Sequence, residues 1–213
     1  MKIIFIGPPG SGKGTQSEII SKKYNIPKIS SGDLLRNQSK NSYITKLINQ
    51  GYLIEDNLIT KIILKRLQSQ DCEKGFILDG FPRTLYQAKI IKSINIDFIF
   101  ELFIPEKIVF SRISGRMIDK ISGKICHIDD IHKQSNYLKN KNYDEILKKR
   151  SDDCVDALKI RMQEYYKNCF ILSNFYKQES YKKKLKYYFI DASLKIEQIN
   201  QKIIKIFETN KIQ

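Results

Sequence analysis

Cysteine is scarce in this chain of 213 residues, and its four copies are badly spaced for pairing. Cys72, Cys126, Cys154 and Cys169 form no CxxC pair, which excludes a small disulfide scaffold and favours reduced thiols in a cytosolic setting. Long apolar runs are lacking as well. Nothing approaches the roughly 20 consecutive apolar residues that cross a bilayer, so a membrane-spanning protein is excluded. The opening MKIIFIGPPG has a charge and a short apolar run, but Gly-Pro-Pro-Gly ends that run too early for a signal peptide, and the expected location is cytoplasmic. Acidic side chains are also in short supply: 23 Asp and Glu stand against 38 Lys and Arg, a formal charge of +15 that attracts any polyanion. Glycine (10) and proline (5) are few while Ile and Asn are heavily used, which is also what an AT-rich genome produces. No RNP-type aromatic motif, zinc-finger spacing or recognition helix accompanies the charge, so the charge alone does not make a nucleic-acid binder.

What is present is rhythm. With 41% hydrophobic and 29% charged residues, the length suits one compact soluble domain with room for insertions. KIIFIG (2–7), GFILDG (75–80), DFIFELFI (97–104) and KYYFID (186–191) read as strands buried on both faces, and PKISS (27–31) as a weaker one. The stretches 13–24, 57–68, 84–93 and 105–114 have helical spacing. This alternation predicts an α/β fold of three layers, a five-stranded parallel sheet with helices on both faces. Residues 116–150 break the rhythm: they are polar and Lys-rich, with a turn signal at SGK (122–124), and read either as a disordered basic insertion or as a mobile lid over a ligand site. A long helix is expected over 151–178, with Asp152 and Asp153 in its first turn, where the helix dipole favours negative charge.

GPPGSGKGTQ (7–16) follows a buried strand and opens a helix, the arrangement in which backbone N–H groups converge on a phosphate. Glycine lets the chain approach the phosphates closely, and Lys13 would reach them as a point charge. One letter departs from the common phosphate-loop pattern: Gly14 stands where Ser or Thr usually binds magnesium, and the hydroxyl comes one step late, at Thr15. In ILDGFPRT (77–84), Asp79 ends a buried strand, where a carboxylate is costly unless it meets a cation or donors. Arg83 projects from the same sheet edge, where open α/β sheets hold their ligands. Arginine offers a planar fork for phosphate oxygens that lysine lacks, so the few arginines in this lysine-rich chain are informative: Arg36, Arg83, Arg112, Arg116, Arg150 and Arg161 are candidate phosphate ligands. Arg66, on a helical pattern without other site residues, reads as surface.

Read together, GPPGSGKGTQ, SSGDLLR (30–36), ILDGFPRT with Gln87, the pair Arg112 and Arg116, and RSDD (150–153) followed by Arg161 resemble the adenylate kinase family, in the same order along nearly the whole chain. The resemblance implies a P-loop core over 1–29, 55–114 and 154–213, a helical AMP-binding segment over 30–54 and a lid insertion over 115–153. It implies reversible phosphoryl transfer from Mg-ATP to AMP giving two ADP, by a monomer whose partners are ATP, AMP and ADP, with no nucleic acid or membrane. Gly10, Ser11, Gly12, Lys13, Gly14 and Thr15 would wrap the ATP phosphates. Arg112 and Arg116 would face ATP from the base of the lid, joined by Ile125, Cys126 and the backbone near Leu194. AMP would be held by Ser31, Arg36, the backbone of Tyr52, Leu53 and Ile54, the turn Gly80, Phe81, Pro82 and Arg83, and Gln87, the last reading the adenine edge. Arg150 and Arg161 would bridge both nucleotides, so that Lys13, Arg83, Arg116, Arg150 and Arg161 form the catalytic set, with Asp79 holding Mg2+ through water.

Such chemistry needs alignment and charge neutralisation more than a covalent nucleophile, which suits a candidate set without His or Cys. His127 and His132 both fall in the lid and read as structural. The chain also departs from the family pattern. Ser31 stands where relatives often carry Thr, Cys126 where an aromatic is common, and the AMP-binding segment is a few residues shorter than in typical long forms. Some relatives bind zinc in the lid through four cysteines. The matching positions here are Asp119, Ser122, Asn140 and Tyr143, which lack thiolates, so no structural zinc is expected.

Overall fold

The computed structural model describes residues 1–38, 42–123, 125–129, 146–182 and 185–210. Among them the strands are β1 (Lys2–Ile6), β2 (Lys28–Ser30), β3 (Phe76–Asp79), β4 (Phe98–Phe103), β5 (Arg116–Asp119), β6 (Ile125–His127), β7 (Leu147–Lys148) and β8 (Lys186–Asp191). The helices are α1 (Lys13–Tyr24), α2 (Ser31–Gln38), α3 (Ser42–Gln50), α4 (Asp56–Leu67), α5 (Leu85–Ile90), α6 (Glu106–Ser114), α7 (Val155–Lys182) and α8 (Ile196–Thr209).

The main sheet is parallel throughout, in the order β2-β3-β1-β4-β8, which is the five-stranded α/β sheet the apolar runs predict. Its strands are apolar at successive positions because each face meets its own core. Ile3 and Phe5 of β1 join Phe98, Phe100, Val109, Ile113 and Phe207 on one side, while Ile4 and Ile6 join Leu78, Phe81, Leu172 and Tyr176 on the other. Burying each such side chain is worth about 1.5–3 kcal/mol, so a polar residue at any of these positions of β1 would be costly. Because β1 lies between β3 and β4, its neighbours on the two sides follow it at different points in the chain. The crevice beyond the carboxyl ends of the strands therefore opens above β1, where the glycine loop emerges.

The described residues of 116–150 include regular structure. β5 pairs antiparallel with β6 (Met117 opposite Cys126) and with β7 (Asp119 opposite Leu147), giving a small three-stranded sheet. Asp119 fixes the turn after β5: its Oδ1 accepts from the backbone N–H groups of Ile121 (2.9 Å) and Ser122 (2.6 Å). His127 packs at the base of this sheet, with Nε2 3.4 Å from the carbonyl oxygen of Ser111. Asn140, Tyr143 and His132 lie outside the described residues.

Two helix expectations are corrected. The helix expected over 84–93 ends at Ile90 and passes into a 3₁₀ turn, Ile91–Ser93. The long helix begins at Val155 and not at 151; Ser151–Asp153 form a separate 3₁₀ turn before it. Asp152 and Asp153 thus lie outside the helix, and their carboxylates pair with arginines. No helix among the described residues is long and apolar enough to cross a membrane.

Candidate active site

The loop from Gly7 to Gly12 joins β1 to α1 and has the backbone only glycine takes easily. Gly12, the N-cap of α1, has φ 87°. Gly7 has φ 143°, and a Cβ there would stand 2.5 Å from the carbonyl oxygen of Leu102 in the adjacent strand. Any side chain at Gly7 would push the loop off the sheet. Ser11 is buried within the loop, and Thr15 sits in the first turn of α1.

Lys13 folds back over this loop. Its Nζ donates to the carbonyls of Gly7 (2.8 Å) and Pro8 (2.7 Å) and to Ser11 Oγ (3.3 Å). The side chain reaches solvent only in part, at the cleft mouth, with protein around it otherwise. Burial pulls its ammonium down from 10.5 to about 7; the carboxylate of Asp79 opposes the fall, while Arg83, Arg161 and Arg116 add to it. The sign follows directly: the fold disfavours the charged form, so Lys13 subtracts stability below about pH 7, and the penalty fades as pH rises towards 10.5. Lys13→Met should accordingly stabilise the ligand-free protein at pH 6. After solvent screening the gain is on the order of 1 kcal/mol, or roughly 2–4 °C in melting temperature for a chain of this size. Calorimetry at pH 6 and pH 10 should show the gain shrinking at the higher pH; a lower melting temperature for the variant at pH 6 would mean that the three loop hydrogen bonds outweigh the repulsion.

Asp79 ends β3 directly beside the loop, its Oδ2 3.2 Å from where a side chain on Gly14 would begin. A side chain at 14 would therefore crowd the carboxylate of Asp79, and glycine leaves that space open. One carboxylate so placed fits Mg2+, which keeps most of its waters and takes one or two carboxylates together with phosphate oxygens. Among the described residues there is no group of three or more His, Cys, Asp or Glu that could hold a metal ion.

The turn after Asp79 is organised by one carbonyl. Gly80 O accepts from Arg83 Nε (2.7 Å) and from Ser31 Oγ (2.7 Å), which ties the arginine and the start of α2 to the same point. Ser31 thus supplies the hydroxyl expected at that position. Phe81 and Pro82 are buried beneath the turn, whereas Arg83 is exposed to the cleft. Enclosure by the protein lowers the pKa of Arg83, Asp79 opposing and Arg36 and Arg150 reinforcing the shift.

The remaining arginines meet across the cleft from Lys13 and are held by acids. Asp153, whose side chain is 2% exposed, receives Arg116 through both ends of the fork: Nε donates to Oδ2 at 2.7 Å and an Nη to Oδ1. Arg161 Nη1 lies 3.4 Å from Asp153 Oδ1, 3.2 Å from Asp152 Oδ2 and 3.1 Å from the Asp152 carbonyl. Arg150 reaches Asp152 at 3.5 Å and Asp33 at 3.9 Å, and Arg36 pairs with Asp33 and approaches Asp152 at 3.8 Å. Burial, chiefly, brings Arg150 and Arg161 down to about 10; neighbouring guanidinium groups reinforce this and Asp152 resists it.

The structure thus brings together Lys13, Arg36, Arg83, Arg116, Arg150 and Arg161 around one cleft. Arg112 has an Nη 3.4 Å from Leu194 O. Ile125 and Cys126 lie on β6 next to β5, whose first residue is Arg116. Tyr52, Leu53 and Ile54 form the link between α3 and α4. Gln87 is buried at the start of α5, where its amide donates to Asp56 and accepts from the backbone N–H of Arg83. Arg66 stays apart, paired with Asp71 at 2.6 Å. The sequence reading missed the anchoring acids Asp33 and Asp56, and it gave Asp152 and Asp153 the wrong task. The available signal was adjacency: SGD and RSDD put acids beside arginines within motifs already marked as phosphate-binding.

Known proteins are similar to this chain over nearly its whole length. The sequence model of the family described as Adenylate kinase matches residues 5–181. The adenylate kinase of Wigglesworthia glossinidia brevipalpis is 50% identical over 208 residues, covering 97% of this chain and 99% of the relative. That of Buchnera aphidicola subsp. Cinara cedri is 43% identical over 222 residues, covering 100% and 99%, and that of Buchnera aphidicola subsp. Schizaphis graminum 40% identical over 210 residues, covering 95% and 98%.

Proposed function

Since the chain belongs to the adenylate kinase family, and is thereby a phosphotransferase, we propose that its cleft transfers a phosphoryl group reversibly from Mg-ATP to AMP, yielding two ADP. The observation that carries this reading is the charge of the cleft. Six cations (Lys13, Arg36, Arg83, Arg116, Arg150 and Arg161) stand among four carboxylates (Asp33, Asp79, Asp152 and Asp153), an excess of positive charge that suits a polyanionic ligand.

ATP enters with its phosphates on the backbone N–H groups of Gly10 to Thr15 and its base near Arg112, Ile125, Cys126 and Leu194. Lys13 exchanges its loop carbonyls for phosphate oxygens and regains its ordinary basicity there. Asp79 would hold Mg2+ through water, and the bound ion would supply charge neutralisation to the phosphates. AMP lies between Ser31, Arg36, the link Tyr52 to Ile54 and the turn Gly80 to Arg83, with Gln87 at the base edge. Arg116, Arg150 and Arg161 close on the transferring group, whose loose transition state spreads charge over its outer oxygens. Forked donors fixed beforehand stabilise that charge without reorganising at the moment of reaction. Residues 30–54 act as the AMP-binding segment and 115–153 as a lid, which excludes water that would otherwise hydrolyse ATP. The protein works as a monomer and in the cytoplasm, the latter a reading supported by its four free thiols.

The test is a panel of acceptors. ADP formation from Mg-ATP should be rapid with AMP and at least about a hundredfold slower in kcat/KM with UMP and CMP, whose smaller bases leave the remaining N–H and lone pair of the Gln87 amide unmet. Equal rates with all acceptors would remove the assignment of AMP, and no transfer with any would remove the reaction.

A further inference from the structure

Asp56 belongs to none of the motifs in the sequence, yet it sits at the centre of a hydrogen-bond network around Gln87. It is the first residue of α4. Its Oδ1 accepts from Gln87 Nε2 (2.7 Å) and its Oδ2 from Thr84 Oγ1 (2.8 Å). Thr84 Oγ1 in turn caps α5, accepting the backbone N–H of Gln87 at 3.2 Å. From the other side the backbone N–H of Arg83 donates to Gln87 Oε1 at 2.7 Å.

A primary amide is nearly symmetrical in shape, and only its partners decide which end carries the nitrogen. Here both ends are decided. A carboxylate can only accept and a peptide N–H can only donate, so a flipped Gln87 would set its oxygen against Asp56 and its NH2 against the N–H of Arg83. At 2% exposure the side chain has no solvent to relieve either clash. With these bonds made, the amide retains one N–H and one oxygen lone pair, in an order that cannot be exchanged.

That order matters for purines. Adenine presents a 6-amino donor beside a ring-nitrogen acceptor, whereas a 6-oxo purine presents an acceptor where the amino group was, and an N1–H donor on its pairing edge. A freely flipping amide could meet either base; a held one meets only one of them. We propose that Asp56 is a specificity-determining positioning residue: by locking the amide of Gln87 it admits 6-aminopurine monophosphates and rejects their 6-oxo counterparts. This rests on the reading of Gln87 as the residue that meets the base.

The experiment measures kcat/KM for AMP and for IMP, at saturating Mg-ATP, in the parent, Asp56→Asn, Asp56→Ala and Gln87→Ala. Asn keeps the shape of Asp56 but can donate as well as accept, so without opening a cavity it removes the stronger of the two constraints on the amide and leaves only the N–H of Arg83. The preference for AMP over IMP should fall about tenfold in both Asp56 variants, the size of one lost hydrogen bond. The fall should appear in KM for the monophosphate, with KM for ATP unchanged. A merely structural role would weaken both acceptors alike, and an unchanged ratio in Asp56→Asn overturns the proposal. If Gln87→Ala collapses the preference while the Asp56 variants keep it, only the role of Asp56 fails. If Gln87→Ala also leaves the ratio unchanged, or the parent shows no preference, the reading of Gln87 fails with it.

Discussion

Arg83→Ala should fold normally and turn over about a thousandfold more slowly, the scale on which a guanidinium aimed at transferring phosphoryl charge acts. Folding is spared because Arg83 is exposed to the cleft and fills no core; what it loses is one hydrogen bond to Gly80 O, at 2.7 Å. That carbonyl keeps the hydroxyl of Ser31, so no buried acceptor is orphaned. Arg36 and Arg150 repel the guanidinium while Asp79 and Asp152 attract it, so its removal leaves opposing effects that largely offset. The melting temperature should therefore hold. Because the bond from Nε fixes the fork before substrate arrives, its contribution falls on the transition state, and kcat and kcat/KM should drop together. Arg83→Lys restores the charge without the fork or the Gly80 bond and should recover only a small part. Steady-state ADP formation beside a thermal melt decides the matter; turnover within a few fold of the parent would take Arg83 out of the mechanism.

The sheet was legible because burial on both faces makes a strand apolar at every position. Ile3, Ile4, Phe5 and Ile6 leave no polar gap, and such a run between turn residues has few other readings. The cations were legible for a different reason: a glycine loop after a strand has a narrow use, and arginine stands out against a lysine background. The small sheet was not legible. Ile125–His127 and Leu147–Lys148 are too short to show a period, and their pairing depends on partners elsewhere in the chain. Asp56 was hidden by distance, since its bond to Gln87 spans 31 positions and a helix. Asp152 and Asp153 were visible and misread. An acid ahead of a helix serves the dipole equally well on paper, and only the fold reveals that Arg116 and Arg161 claim it first.

That claim sets the second large effect. Asp153→Ala should cost about 3–5 kcal/mol, because it leaves Arg116 as a largely buried charge with its principal partner gone. Arg116 is 13% exposed and Arg161 16%, against 2% for the Asp153 side chain, so water reaches the fork poorly once the carboxylate is removed. A loss of that size lowers the melting temperature by roughly 10 °C in a chain of this length. Turnover should fall about a hundredfold as well, since Arg116 and Arg161 lose the carboxylate that aims them and small misplacements are costly in phosphoryl transfer. Asp153→Asn keeps the volume and one acceptor oxygen, so it should lose less stability but much of the activity, its NH2 facing a guanidinium that can only donate. A further readout separates this from general damage. The unpaired guanidinium of Asp153→Ala should seek an anion, so Mg-ATP should raise its melting temperature by more than it raises that of the parent. An equal shift in the two proteins, or a melting temperature unchanged by the substitution, would show that solvent and Asp152 already satisfy Arg116 and Arg161, and that Asp153 is not what holds the arginines in place.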